Sequence, residues 1–400
     1  MKQERRPTVL SLEQALSLPY ATMRFVQLGW RVIRIEPTPV AGRRAQGDPN
    51  RSIGRPVAGD DRHSYFIAPN VGKEAIALNL KSEEGRGLLH RLVRALEVDV
   101  FATNTMPAHH RALGIDAETL RAERPELIWC SISALGTAAP EVPGYDPALQ
   151  ALCGYMDLTG DRDGPPLQCG PPVIDLKAGD EAFAQVLLAM LERAQSGHGK
   201  TIDISMAQAA VSWLLTFLPM LDMGSAPEEI RRNGNEHRQF IPVNAYPTRD
   251  GFIYVAIGSD AQWARLVGAP MFTSLAQDRF ATNEGRRASK EELHRAIAAI
   301  TRRELSAEIA KVLEETAIPH APIHTIEQIF DLPFVAKTAL FTTAPDGTKI
   351  RLPPPAVEVE GLSREQPFAP AYAEHTPHVL GEIGVSREDV AGLRSRGVIR

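Results

Sequence analysis

The chain has 400 residues, 44% of them hydrophobic and 23% charged, which is enough for one large or two ordinary cores and excludes wholesale disorder. Basic residues number 44 against 49 acidic, a formal net charge of −5, and no long Lys/Arg run occurs, so a nucleic-acid surface is not expected. The most apolar stretch, 209–221, is short and broken by Ser212, Thr216 and Pro219, so no bilayer span is expected. The opening MKQERRPT is charged, unlike a secretory leader, and Cys130, Cys153 and Cys169 form no Cys-x-x-Cys pattern. A cytoplasmic chain without a disulfide framework or structural zinc is the expectation.

In chain order, Thr8–Leu10 reads as a strand, a helix follows from Pro19 to Gly29, and Arg31–Ile35 is the next strand. Residues 37–68, rich in Pro, Gly, Arg and Asp, read as a long irregular loop. Ala75–Leu80 is a strand. Ser82 opens a helix with Leu88, Leu89, Leu92, Val93 and Leu96 at helical spacing. Val98–Ala102 and Leu127–Ser133 are strands around a short helix at Asp116–Glu123. This rhythm predicts βαβ units and a largely parallel sheet. No Gly-x-Gly-x-x-Gly occurs, so nothing supports a nicotinamide or flavin cofactor.

Residues 136–175 are Gly/Pro-rich. A long helix is predicted from Gly179 to Gln195, with Phe183, Val186, Leu187, Met190 and Leu191 as its buried stripe. Thr201–Ser205 is a strand, Met206–Leu221 a mostly apolar helix, and Met223–Pro227 a boundary. Strands at Asn244–Tyr246 and Phe252–Ile257 flank the Asp250-Gly251 turn. Helices at Lys290–Glu304 and Ser306–Thr316 follow, with a helical pair near Val379–Ile383 and Ser386–Arg394 in the tail.

Most chemical candidates have ordinary readings. GHGKT at 197–201 lacks the first glycine of a phosphate loop and follows a helix, so it reads as a turn. His320 and His324 are separated by Pro322, and His109-His110 would diverge on a helix, so neither suggests a metal. Asp175 ends an apolar run just before the predicted long helix. It suits an N-cap. From composition alone the cap is the better reading, yet the same position suits a nucleophile whose anion, and the oxyanion it generates, are stabilised by the helix N-terminus, with Gly179 admitting a substrate to the backbone.

Ordered motifs along nearly the whole chain decide between these readings. They are LSLPYATMRFVQLGWRVIRIEP, NVGKEAIALNL, FATNTMP, GYDPALQALCGYMDLTG leading to PPVIDLKAGDEAF, GHGKTIDISM, NGNEHRQFIPVNAYPTRDGFIYVAIGSDAQW, IPHAPIHTIEQI and EHTPHVLGEIG. Together they resemble the class III CoA-transferases of the CaiB–BaiF family. The resemblance implies an α/β fold: a large Rossmann-like CoA-binding domain from 1–200 plus 352–400, linkers at 201–225 and 331–351, and an inserted small domain at 226–330. It further implies an interlocked homodimer, or a paralogous heterodimer, and no permanently bound cofactor. CoA thioester is a substrate.

By the same resemblance, Asp175 is the catalytic nucleophile, passing CoA through a mixed anhydride and an aspartyl-CoA thioester. An ionised carboxylate of low pKa follows from that role. Leu16, Ser17, Lys73, Asn104, Arg111 and Tyr145 fall at CoA-contacting positions, with Lys73 and Arg111 facing phosphate. His237, Arg238 and Gln239 fall in the loop that covers the reacting carboxylate. Tyr145 replaces the catalytic His of the family's α-methylacyl-CoA racemases, which favours transfer over proton abstraction. Leu16 replaces a Gln of formyl-CoA transferase, and EHRQF replaces its Gly-rich loop, which argues against oxalate chemistry. Pro37 and Thr38 stand where many members carry an Arg for CoA phosphate, leaving Arg43 and Arg44 to compensate. The expected reaction moves CoA from an acyl-CoA such as succinyl-CoA to an organic acid. The alternatives are an acyl-CoA racemase or a CoA-binding subunit of a hetero-oligomeric transferase.

Overall fold

The alternation of apolar strands and amphipathic helices closes into one parallel sheet. The structure, a computed structural model, describes residues 5–39, 46–358 and 360–400. Its first elements are β1 (Thr8–Leu12), α1 (Ser17–Gln27), β2 (Arg31–Glu36), β3 (Glu74–Ala77), α2 (Glu83–Ala95) and β4 (Val100–Thr103). There follow α3 (Ala117–Glu123), β5 (Ile128–Ser133), α4 (Asp146–Leu152), α5 (Val173–Ser196), β6 (Thr201–Ser205) and α6 (Met206–Ser212). The six strands lie in the order β3-β2-β1-β4-β5-β6, every neighbouring pair parallel. Strand order therefore reverses between β1 and β4. In such doubly wound sheets the crevice beyond the strands' carboxyl ends at that reversal is the ligand site.

The chain divides into two compact units. One comprises Met1–Cys153, Cys169–Thr216 and Pro333–Arg400; the other comprises Gly154–Gln168 and Phe217–Leu332. The second unit holds a three-stranded antiparallel sheet of β7 (Val243–Pro247), β8 (Phe252–Ala256) and β9 (His320–Pro322). Its helices α7 (Asp260–Gly268), α8 (Lys290–Thr301) and α9 (Ser306–Glu315) supply Trp263, Leu293, Ile297 and Leu313 to a core of their own.

The C-terminal segment returns to the large unit as β10 (Leu340–Thr343), β11 (Lys349–Leu352), β12 (Glu365–Gln366), α10 (Thr376–Glu382) and α11 (Arg387–Ser395). Val379, Leu380 and Leu393 join Leu89 and Leu92 of α2 over Ile33, Ile76 and Phe101 of the sheet. The edge beside β3 is finished by this tail: Ala77 N donates to Thr376 Oγ1 (3.0 Å), and Asn79 N donates to Val398 O (2.8 Å). An open edge would leave such amides unpaired.

Helices α1 and α5 pack on each other. A Cβ on Gly179 would stand 2.6 Å from Ser17 O and 2.7 Å from Tyr20 Cδ1, so only glycine admits α1 here. This close approach, and not access for a substrate, explains Gly179. It also corrects the expected stripe. Alongside Val186, the buried face of α5 is made of Ile174 and small residues (Ala178, Gly179, Ala182 and Ala189), whereas Leu191 is 66% exposed.

Other expectations fail for local reasons. Within 37–68 lie a short hairpin of Pro56–Ala58 with Arg62–His63 and a helix at Ser64–Asn70. Its Phe66 and Ile67 are buried with Leu340 and Leu352, partners far along the chain that composition does not reveal. The predicted Met206–Leu221 helix is broken into α6, a 3-10 turn at Trp213–Thr216 and a separate turn at Leu218–Asp222, where Pro219 has no amide to offer. Among the described residues no helix is long and apolar enough to cross a membrane.

Candidate active site

Asp175 lies in the first turn of α5, which begins at Val173 and not at Gly179 as predicted. It is therefore not the N-cap, a position Pro172 occupies. Its side chain faces a cavity of about 200 Å³ beyond the carboxyl ends of β1, β4 and β5, lined by Gln14, Ala15, Ser17, Asn104, Met106, Ser133, Tyr145 and Met206 among others. The sheet thus brings Asp175, Ser17, Asn104 and Tyr145 together. Leu16, the N-cap of α1, is not in this lining.

The β1–α1 turn is held in a strained shape. Ala15 adopts a φ of 60°, the left-handed region that a Cβ disfavours. Asn104 clamps the turn by accepting from Gln14 N (3.0 Å) and donating to Gln14 O (2.8 Å) and Ser17 Oγ (3.4 Å). With its carboxamide so engaged, Asn104 positions this turn, where the sequence reading had it bonding CoA. Tyr145 is 72% exposed.

The anion-stabilising helix end expected of Asp175 is already occupied. Ile174 N (2.7 Å) and Asp175 N (3.1 Å) both donate to Asp146 Oδ2, while Val173 N and Leu176 N donate to the carbonyls of Pro171 and Pro172. Burial, and next the Asp146 charge, push the Asp175 carboxyl up to about 7, correcting the expected low value. Asp146 and its partner Gln150 were missed. The Asp146-Pro147 pair is a legible helix start, but it signals α4 and not a cap for α5.

Lys73 is not at the surface. Its ammonium donates to Glu13 Oε1 (2.7 Å), Pro19 O (2.9 Å) and Asn70 Oδ1 (3.1 Å), and neither the Lys73 nor the Glu13 side chain is exposed. All three protons are used, so it does not meet a phosphate in this structure. Burial lowers the Lys73 pKa to about 8 in spite of Glu13. The buried ions continue through Arg34 to Asp48 (2.8 Å) and Arg51 to Glu36 (2.6 Å), whose side chains are at most 1% exposed.

A larger cavity of about 570 Å³ opens at the strand-order reversal, lined by Leu12, Gln14, Pro37, Thr38, Asp48, Leu80, Lys81 and Thr105 among others. Gln14 borders both cavities. Lys81 is the cation among the larger cavity's described lining residues. Arg43 and Arg44 lie outside the described residues. Arg111 lies in the lining of neither cavity; its exposed guanidinium stands 3.6 Å from Glu118.

In the second unit, the loop carrying His237, Arg238 and Gln239 is tied down by Glu236, which takes Lys290 Nζ (2.6 Å) and lies 3.1 Å from His294 Nε2. His237 Nδ1 accepts from Gln239 N (3.0 Å) and Phe240 N (3.1 Å), which places its proton on Nε2 when neutral. Arg238 donates from Nε to Glu229 O (3.0 Å) and from Nη2 to Ile230 O (3.0 Å) and Arg231 O, and stacks over Phe217. Those bonds close the preceding turn of chain and leave only Nη1 outside them. Among the described residues no cluster of His, Cys, Asp and Glu is grouped to hold a metal ion.

A family model described as CoA-transferase family III matches residues 7–376. The chain belongs to that family. It is similar to the succinate–glutarate CoA-transferase of Agrobacterium fabrum, 33% identical over 94% of each chain. The human succinyl-CoA:glutarate CoA-transferase is 29% identical over 98% of this chain and 88% of its own. A crystal structure of a CaiB/BaiF family protein from Brucella suis superposes with a TM-score of 0.83 at 28% identity, covering 94% of this chain and 98% of that one. The chain is a CoA-transferase, working on acyl-CoA and organic acids, and its sheet and helices are those of the family.

Proposed function

We propose that Asp175 carries CoA from a donor acyl-CoA to an acceptor carboxylic acid. The observation that supports this is that Asp175 lines a cavity beyond the carboxyl ends of the strands, which Ser17 and Tyr145 line as well. A carboxylate oxygen of Asp175 attacks the thioester carbonyl; the C–S bond breaks and leaves a mixed anhydride and CoA thiolate. The thiolate attacks the Asp175 carbonyl, releasing the donor acid and leaving an aspartyl-CoA thioester. The acceptor carboxylate then attacks that carbonyl and expels the thiolate. The thiolate attacks the acceptor's carbonyl and restores Asp175 as the new acyl-CoA leaves. Each step exchanges one acyl–oxygen or acyl–sulfur bond for another, so no ATP is needed.

Because α5's first amides are taken, stabilisation of the tetrahedral oxyanions falls to hydroxyls at the cavity. Ser17 Oγ accepts from Asn104, which turns its own proton away from that side, and the exposed Tyr145 hydroxyl is the second donor. The larger cavity is suited to the CoA nucleotide, with Lys81 as its phosphate partner. The described cavity lining around Asp175 contains no imidazole, which favours transfer over racemisation.

Succinyl-CoA as donor and a dicarboxylate such as glutarate as acceptor are supported by the names of the similar enzymes. His237 and Gln239, with Arg238 through its Nη1, are the proposed acceptor contacts. An interlocked dimer is supported by large apolar side chains left in the open on the large unit: Leu191 66%, Trp213 50% and Leu215 76% exposed.

The test incubates the protein with succinyl-CoA, traps with hydroxylamine or borohydride, and maps the adduct by peptide mass spectrometry. Modification at Asp175, absent from Asp175→Ala, is expected. Transfer that persists undiminished in folded Asp175→Ala would remove the residue from the reaction.

A further inference from the structure

The helix carrying Asp175 meets its substrate with its positive end already neutralised. A helix N-terminus offers its first amides and the positive end of its dipole to an anion. Here that anion is Asp146, 3% exposed, whose Oδ2 accepts from Ile174 N (2.7 Å) and Asp175 N (3.1 Å). Its Oδ1 accepts from Gln150 Nε2, and Gln150 Oε1 in turn accepts from Cys169 N (2.8 Å). The cap is thus fully bonded, buried and supplied from another helix, α4. What Asp175 receives from it is a fixed backbone and a neighbouring negative charge.

We propose that Asp146 is a positioning residue for Asp175: its buried carboxylate fixes the first turn of α5 through two backbone amides, and its charge keeps a second anion beside it poorly stabilised and therefore basic. The inference rests on reading Asp175 as the nucleophile. A more basic carboxylate oxygen is the stronger nucleophile toward a thioester. An Asp175 held by those same amides would be a weaker base, because hydrogen bonds to the charged form favour it. Burial first, and then the Asp146 charge, raise the Asp175 pKa, in the direction this geometry requires.

Other charged groups on the packed elements are engaged elsewhere. On α1, Arg24 and Tyr20 bond Asp180, further along α5. On α5 itself Lys177 pairs with Glu181. On β6, Asp203 accepts from Ser131 and Thr137. Helix α6 carries no charged side chain.

The experiment titrates Asp175 directly in the full-length protein by ¹³C NMR of carboxyl-labelled aspartate, with its signal assigned by loss in Asp175→Asn. The wild-type midpoint is expected at about 7. In Asp146→Asn, which keeps an acceptor oxygen and loses the charge, it falls by about 1 unit or more toward the ordinary 3.9. The acid limb of the kcat/KM profile falls with it. Asp146→Ser, another neutral cap, gives the same shift and serves if the Asn variant does not fold. A wild-type midpoint near the ordinary value, or one unmoved in the folded neutral-cap variants, overturns the proposal. Because the titration needs no turnover, an active Asp175→Asn would instead defeat the nucleophile reading while leaving the NMR result to stand or fall separately.

Discussion

The Lys73 ammonium stands 2.7 Å from the Glu13 carboxylate with both side chains wholly out of solvent. Removing one partner strands the other charge in a medium that cannot solvate it. Lys73→Ala is expected to lose about 3–5 kcal/mol of stability, read from urea unfolding. CoA affinity of the folded variant should change little. A variant with wild-type stability and strongly weakened CoA binding would return Lys73 to the phosphate role that the motif suggested.

Lys81→Ala makes the opposite prediction. If the larger cavity takes the CoA nucleotide as proposed, Lys81 in its lining meets phosphate as a solvated point charge, so its loss should cost about 1 kcal/mol, roughly a 5-fold rise in Kd. The effect should shrink with added salt. Isothermal titration with CoA at two ionic strengths checks both. An unchanged Kd at low salt would place the phosphates elsewhere.

Gly179→Ala forces a Cβ to within 2.6 Å of Ser17 O, a backbone atom that cannot swing aside. The expected loss is about 1–3 kcal/mol, with activity falling because the β1–α1 turn at the cavity is displaced. Gly87→Ala is the control, since nothing lies within 4 Å of its Cβ. It sits inside α2 and should be neutral or gain up to about 1 kcal/mol.

The raised pKa of Asp175 also has a stability consequence. The folded chain holds this proton until about pH 7, whereas an unfolded Asp releases it near 3.9. Between those values the native state binds more protons, so this group's contribution falls as pH rises through the window and is fully unfavourable above it. Asp175→Asn should therefore raise stability at pH 8 by up to about 4 kcal/mol, read as a higher melting temperature, and by much less at pH 4. Equal gains at both pH values would mean that the carboxyl titrates normally.

The six strands of the parallel sheet were legible because a buried parallel strand is a short apolar run wherever it occurs, whereas the short strands at His320–Pro322 and from Leu340 to Gln366 carry no such run and were not. Asp175 and Tyr145, which line one cavity, were singled out from motifs. What escaped depended on partners distant in sequence. Asp146 caps a helix other than the one it begins. The small-residue face of α5 follows from how near α1 comes, while periodicity favoured its larger side chains. Lys73 was read as a phosphate contact because its acceptors, Glu13, Pro19 and Asn70, are scattered along the chain.

The tail that finishes the sheet edge, through Val398 and Thr376, has a consequence for biosynthesis. During translation the second unit emerges whole, with its own core, while the large unit still waits for residues made near the end. Until they arrive, the amides of Ala77 and Asn79 stand open on a parallel edge, the kind of surface that recruits other nascent chains. Yield in a foreign host should therefore respond to slower synthesis or extra chaperone more than to any change in the active site.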